Sequence, residues 1–298
     1  MLFVGGVLLI VVAIVIAGAN SHKPTAEQVA QARALSQKQF ADCITGGYLG
    51  PGEQAPPPYT TLDEFCRAVT TSPTPETGLK LGDAADVIQH TGTFTVLLGV
   101  VLGASLMGAD WGAGTMTTLL TWEPRRIRVF LTRALVVAIV VAVITLVLQA
   151  LLLGGFRLAV ALRGTTLGSP PGLFGDVVQS VLRVSAVAVA FGLVAMAVAT
   201  VGRSTVAAVG VLFGYLVLFE GVIAGFRPSI QDRLLVRAAG VVVSQQPIYD
   251  QNASFSSGFS NQLPKVLLGL TEAWVVVATY LVVLTVLALL VFRARDVN

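Results

Sequence analysis

DWGAGTMTTLLTWEPRRIRVFLTR, residues 110 to 133, lies between two long apolar runs. Four arginines, Arg125, Arg126, Arg128 and Arg133, crowd its C-terminal end. Gly112 and Gly114 loosen its start, and Pro124 marks a boundary before the second run, because the residue ahead of a proline is driven out of helical geometry. A short, charged, partly helical element between two membrane spans can act as a handle. It is the part of its neighbourhood that a soluble partner can grip.

Everything around the handle reads as membrane. Of 298 residues, 55% are hydrophobic and only 12% charged. A soluble domain carries roughly 25% charged residues, so this chain has too little polar surface to cover a globule in water. The net charge of +3 follows from arginines in loops rather than from a nucleic-acid surface. About 20 apolar residues cross the hydrocarbon core as a helix. Six segments qualify: Met1–Ala19, Ile88–Ala109, Val129–Phe156, Val184–Gly202, Ser204–Ile223 and Val266–Phe292. The expected fold is an all-α polytopic membrane protein with six transmembrane helices. Glu220 and Glu272 sit close to span ends, within reach of the interface.

Arginine in short loops marks the cytoplasmic side. The handle cluster, Arg203 in the tight turn after span four, and Arg293 with Arg295 at the C-terminus all fall on one side. Arg157, Arg163 and Arg183 flank the opposite side and are outnumbered. Ala17-Gly18-Ala19 has the look of a signal-peptidase site, but no positive residue precedes the apolar run and the run exceeds a signal core. An uncleaved first span places both termini in the cytoplasm of a multi-pass protein of the bacterial plasma membrane.

Residues 20–87 form the longest polar stretch, an extracellular helical insertion. Thr25 followed by Gln28 is a capping-box pattern that opens an amphipathic helix over Ala26–Asp42, and Thr61 with Glu64 opens a second through Val69. The chain's two cysteines, Cys43 and Cys66, lie one near each helix. They form either a disulfide that staples two core-poor helices or two unpaired buried thiols; the oxidising outer face favours the disulfide. Phe156–Leu182 reads as a turn-rich outer crossing. In the region 227–265, Ser229 caps an interfacial helix over Ile230–Gln245, and polar loop follows to Leu263. Asn252-Ala-Ser254 matches a sequon that is common by chance.

No phosphate loop, HExxH or GxSxG occurs, so the chain binds no ATP by that route and supports no enzyme reading. His22 and His90 have no partner for a metal or a nucleophile. The span centres carry no ionisable group, which disfavours a proton-driven carrier. Gln149, inside span three, is read as a bond to a neighbouring helix.

Between spans two and three this chain has Asp110, Gly114-Thr115, Leu119-Leu120-Thr121 and Pro124-Arg125-Arg126. That pattern resembles permease subunits of type-2 ABC exporters (the ABC-2 membrane, type V exporter class), in the form common in high-GC Gram-positive bacteria. Asp110 stands where those proteins carry glutamate. They also carry an amphipathic helix before span one, whereas here the apolar run starts at Met1. The resemblance implies a cytoplasmic coupling helix within 110–128 that docks on a separate ATPase subunit, with Asp110, Gly114, Thr115, Leu119, Leu120, Trp122, Pro124, Arg125 and Arg126 as the contact set. It implies no cofactor on this chain, with ATP and Mg on the partner, and a second permease copy or paralogue. The arginines can instead pair with lipid phosphates or simply fix topology.

Spans two and five are expected to line the dimer face, because Gly103, Gly108, Gly210 and Gly214 permit close packing or a pathway. Residues 227–265 would supply an extracellular gate. The rival from another class is a non-transporting sensor or anchor whose Cys43–Cys66 region binds a ligand or partner protein.

Overall fold

Long runs of Ala, Val and Leu without internal proline give long helices. The computed structural model describes residues 23–47, 61–70, 79–122, 125–166, 169, 172–220, 222, 233–249 and 266–294. Its helices are α1 (Ala26–Asp42), α2 (Leu62–Val69), α3 (Ala84–Gly112), α4 (Thr115–Trp122), α5 (Arg126–Arg163), α6 (Leu173–Gly202), α7 (Thr205–Gly214), α8 (Leu235–Ser244) and α9 (Leu270–Ala294). Among these, α3 with its lead-in turn, α5, α6 and α9 are long and apolar enough to cross a membrane, with mean hydropathy of 1.8, 3.0, 2.4 and 2.9. Leu135, Ile139 and Val143 on α5, and Val275, Val282 and Leu290 on α9, are exposed. Such surfaces suit a protein embedded in lipid, which solvates apolar side chains that water does not. The first expected span, Met1–Ala19, lies outside the described residues.

The chain divides into two compact units, one of Phe3–Ala85 with Leu151–Gly175 and the other of Asp86–Ala150 with Asp176–Asn298. In the first, the Thr25 capping box is present: the Gln28 amide donates to the Thr25 hydroxyl, and the Gln28 side chain accepts from the Thr25 amide. Helix α1 has no fully buried residue, but Val29, Ala32, Ser36, Gln39 and Phe40 form a half-buried stripe along one face, as the amphipathic expectation requires. Cys43, in the π turn Cys43–Gly47, is fully buried and bonds Cys66 of α2. Leu79 and Leu81 exchange backbone hydrogen bonds with Thr165, at 2.9 and 3.1 Å.

The second unit is built around α6. Buried residues fill 72% of the most apolar stretch of α6, against 17% for α9, so α6 is the central helix and α9 a peripheral one. Its face of Val184, Ala188, Gly192 and Ala195 is small, which lets neighbours approach closely. Gln149 donates to Thr95 at 3.2 Å, joining α5 to α3 as expected.

Several boundaries move. Helix α5 runs to Arg163 rather than Phe156, and α6 starts at Leu173 rather than Val184. Arg157, Arg163 and Arg183 therefore sit on helices, and the stretch between the two helices shortens to 164–172. A 38-residue helix is about 57 Å long, well beyond the roughly 30 Å hydrocarbon core. The segment expected to be span five changes helix type along its length. Its α-helix stops at Gly214 and continues as a π turn, Tyr215–Glu220. Helix α8 begins at Leu235, with Leu234 in extended geometry at its N-cap; the expected cap Ser229 and the sequon lie outside the described residues. Val266–Leu268 is not the start of span six but a strand, β2, paired antiparallel with β1 (Ile248–Tyr249). The fold is thus helical with one small ribbon. Helix α9 opens after it, where Glu272 accepts the Gly269 amide at 3.0 Å.

Candidate functional site

The handle is shorter than its motif. Helix α3 overruns the expected Ala109 to Gly112, so Asp110 sits on its last turn, and α5 already begins at Arg126. Only α4 remains as a free-standing segment of the coupling region 110–128. Gly114 has φ +69°, a left-handed conformation that a side chain strains, and its amide donates to Trp111 O at 3.2 Å. That turn ends α3 and re-aims the chain. Thr115 then donates back to Asp110 O at 3.0 Å and lies 3.4 Å from its Oδ1.

Further contacts seat the handle. Asp110 Oδ2 pairs with Arg133 Nη1 at 2.8 Å, so the last turn of α3 is tied to the second turn of α5. Met116 is fully buried in the hydrophobic core, and Leu119 packs against that core half-buried. Trp111 stacks edge-on against Phe292 of α9 at 6.3 Å and lies under the Arg203 guanidinium at 4.9 Å. Arg203 takes the left-handed turn between α6 and α7 at φ 51°, after which Ser204 caps α7 through the Ala207 amide. A cation over an indole contributes about 0.5–1 kcal/mol at an exposed site.

The structure thus gathers Asp110, Gly114, Thr115, Leu119, Arg125 and Arg126 at one end of the second unit. The side chains of Leu120 and Trp122, and all of Pro124, lie outside the described residues. Sequence reasoning missed Met116 and the pairing of Arg133 with Asp110. The signal for Met116 was its spacing of three from Leu119, the interval that places two helical residues on one face. The pair with Arg133 crosses two helices and leaves no such local sign.

Replacing Arg133 with glutamine is expected to weaken the seating by about 1 kcal/mol, between the values for exposed and buried ion pairs. Hydrogen exchange should then accelerate roughly fivefold in Thr115–Trp122 and stay unchanged in the centre of α6. Uniform exchange in both segments would show that the pair does not hold the handle.

Of the four glycines read as dimer or pathway lining, two are used inside this chain. A Cβ on Gly103 would collide with the Gly192 carbonyl of α6, and one on Gly108 with Thr205 at the start of α7. Gly99, unremarked in the sequence, lies in the same row as Gly103, 2.7 Å from Ala188 O by the same measure. Gly210 and Gly214 have open space before them. Their helix also exposes Val206, Val211 and Phe213, with Val206 82% accessible.

The gate region has one well-defined anchor. Glu220, expected at the interface, is 5% exposed and accepts the Val236 amide through both oxygens, at 2.9 and 3.0 Å. A carboxylate there satisfies an orphan donor of α8 and complements its dipole. Helix α8 packs along α9. Tyr215 donates to Tyr280, which donates to Arg233 O, so the π turn after α7 is tied to α9 as well. Residues 227–232 and 250–265 lie outside the described residues.

The chain matches no family model, no curated protein and no solved structure.

Proposed function

We propose that this chain is the transmembrane permease subunit of an ATP-driven ABC transporter. It would export a small amphipathic molecule, lipid, glycan or peptide from a bacterial cell, using six spans with both termini in the cytoplasm. A second permease copy or paralogue and two ATPase subunits complete the assembly, and the ATPases bring ATP and Mg. The observation that carries this reading is the handle. A short helix stands between two long apolar helices, held by the Gly114 turn and the Asp110–Arg133 pair, with Met116 planted in the core. A force applied to such a helix is transmitted to the spans instead of being absorbed by a loose loop. The open face of α7 around Gly210 is the dimer surface in this reading, and ATP-driven closure re-packs the spans so that a pathway opens outward.

Replacing Leu119, Leu120 and Trp122 together with alanine tests it. Interface anchors of this size are worth about 2 kcal/mol each, so co-purification of the ATPase should fall more than 100-fold and transport should drop to background. Thermal stability of the isolated chain should fall by no more than the loss of Leu119's half-buried contact, because Met116 still seats the helix. Unchanged ATPase binding together with unchanged transport would sink the coupling role.

The second reading is a non-transporting sensor or anchor. The observation that favours it is the Cys43–Cys66 staple, which ties the end of the largely exposed α1 to α2 in an arrangement suited to presenting a surface. Mild-detergent purification from the native host followed by mass spectrometry separates the two. A stoichiometric subunit bearing a phosphate loop supports the permease; its absence, repeated in nanodiscs, supports the sensor.

A further inference from the structure

We propose that the groove at the start of α5 is a binding site for one anionic phospholipid. The groove is open, with a volume of about 780 Å³, and is lined by Arg125, Arg126, Ile127, Arg128, Leu131, Thr132, Leu135 and Arg293. Four of these residues are arginines, Arg125 just before α5, Arg126 and Arg128 on it and Arg293 on α9, and no carboxylate is among the described lining residues. Arg126 Nη1 reaches Arg293 O at 3.4 Å, which joins the two walls. Several guanidinium groups around one space offer an anion more charge-assisted hydrogen bonds than one of them offers alone. The guanidinium fork matches phosphate oxygens in a bidentate way that lysine does not.

The other half of the lining selects a lipid over a soluble anion. Ile127, Leu131 and Leu135 are exposed, and the same four-residue row continues through Ile139 and Val143, both more than half exposed. From Ile127 to Val143 the row covers about 24 Å along the helix. One leaflet of hydrocarbon is about 15 Å thick, so the row can accompany an acyl chain for its whole depth. A headgroup phosphate among the arginines and a chain along this row use both chemistries at once. An acidic face of a soluble protein uses only the first, because the row continues into the apolar layer. This assignment gives the arginines to a lipid and leaves Thr115–Trp122 to the ATPase. It does not rest on the transporter reading, since the isolated chain is enough to test it.

The full chain, purified in mild detergent, is titrated with phosphatidylglycerol and separately with phosphatidylcholine, and bound lipid is counted by native mass spectrometry. Wild type should hold one phosphatidylglycerol in clear preference to phosphatidylcholine. Near a membrane surface each arginine contributes about fivefold, so Arg125→Gln with Arg128→Gln should weaken phosphatidylglycerol roughly twentyfold. Arg157→Gln with Arg163→Gln, which removes the same charge from the far end of α5, should leave it unchanged. Millimolar inorganic phosphate should not compete. Equal loss in both double variants, or no loss in the first, overturns the site. Equal retention of the two lipids by wild type overturns it without any variant. Displacement by phosphate would make it an ion site, and undiminished lipid with lost ATPase binding would make it a protein interface.

Discussion

Gly103→Ala is expected to destabilise the chain by roughly 3 kcal/mol, the upper end of what overpacking costs. The new methyl would meet the Gly192 carbonyl oxygen, carbon and Cα of α6 together. A backbone carbonyl in mid-helix cannot swing aside as a side chain can, so α3 and α6 must separate along their length. Separation also disturbs Gly99 against Ala188, four residues away on the same face. The matched control is Gly210→Ala, where nothing lies within 4 Å. There the alanine gains helix propensity, about 0.5–1 kcal/mol, and the protein should hold or rise slightly in stability. Thermal unfolding followed by tryptophan fluorescence in one detergent compares the two directly. Similar midpoints for both variants would mean that α3 and α6 are not in backbone contact.

Removing the disulfide is the second large effect. Replacing Cys43 and Cys66 with serine frees a loop closed over 23 residues, for which the chain-entropy account gives about 3 kcal/mol. The local consequence is greater than that figure suggests. No residue of α1 is buried, and an isolated helix of this length is marginal in water. With the bond gone, α1 keeps its capping box, worth roughly 1 kcal/mol, and a half-buried stripe of Val29, Ala32, Ser36, Gln39 and Phe40. Limited proteolysis should therefore cut within Ala26–Val69 about 100-fold faster in the variant, and in wild type only after reduction, while α6 remains resistant. Equal cleavage with and without reductant would show that the staple does not govern this region.

The sequence and the structure agree where local chemistry decides the outcome. Thr25 and Gln28 satisfy each other's backbone within one turn, and the apolar runs that became α3, α5, α6 and α9 are long enough to be recognised from composition. Agreement fails where the deciding atom belongs to another helix. Gly103 and Gly210 look alike in sequence, each four residues from another glycine, and only what lies opposite separates them. The π turn that follows α7 is of the same kind: the apolar pattern runs on unchanged, and what distinguishes Glu220 is its partner, the Val236 amide of α8. The ends of α5 and α6 were misplaced for a different reason: hydropathy stops at the edge of the hydrocarbon, whereas a helix does not. Around the handle, the position and the arginines were legible. The seating was not, because Met116 and Arg133 act through residues distant in sequence.

Contact between the backbones of α3 and α6 also has a mechanical meaning. At Gly99 and Gly103 the packing leaves no compliant side-chain layer between the two helices, so over this stretch they resist sliding and bend as one thick rod. The handle is fixed to the end of that rod, about 14 Å beyond Gly103 at helical rise. Little displacement is lost over so short an arm. In the permease reading, a push on Thr115–Trp122 would reach Gly192 over that short arm, and softening the Gly103 contact should slow transport before it weakens ATPase binding.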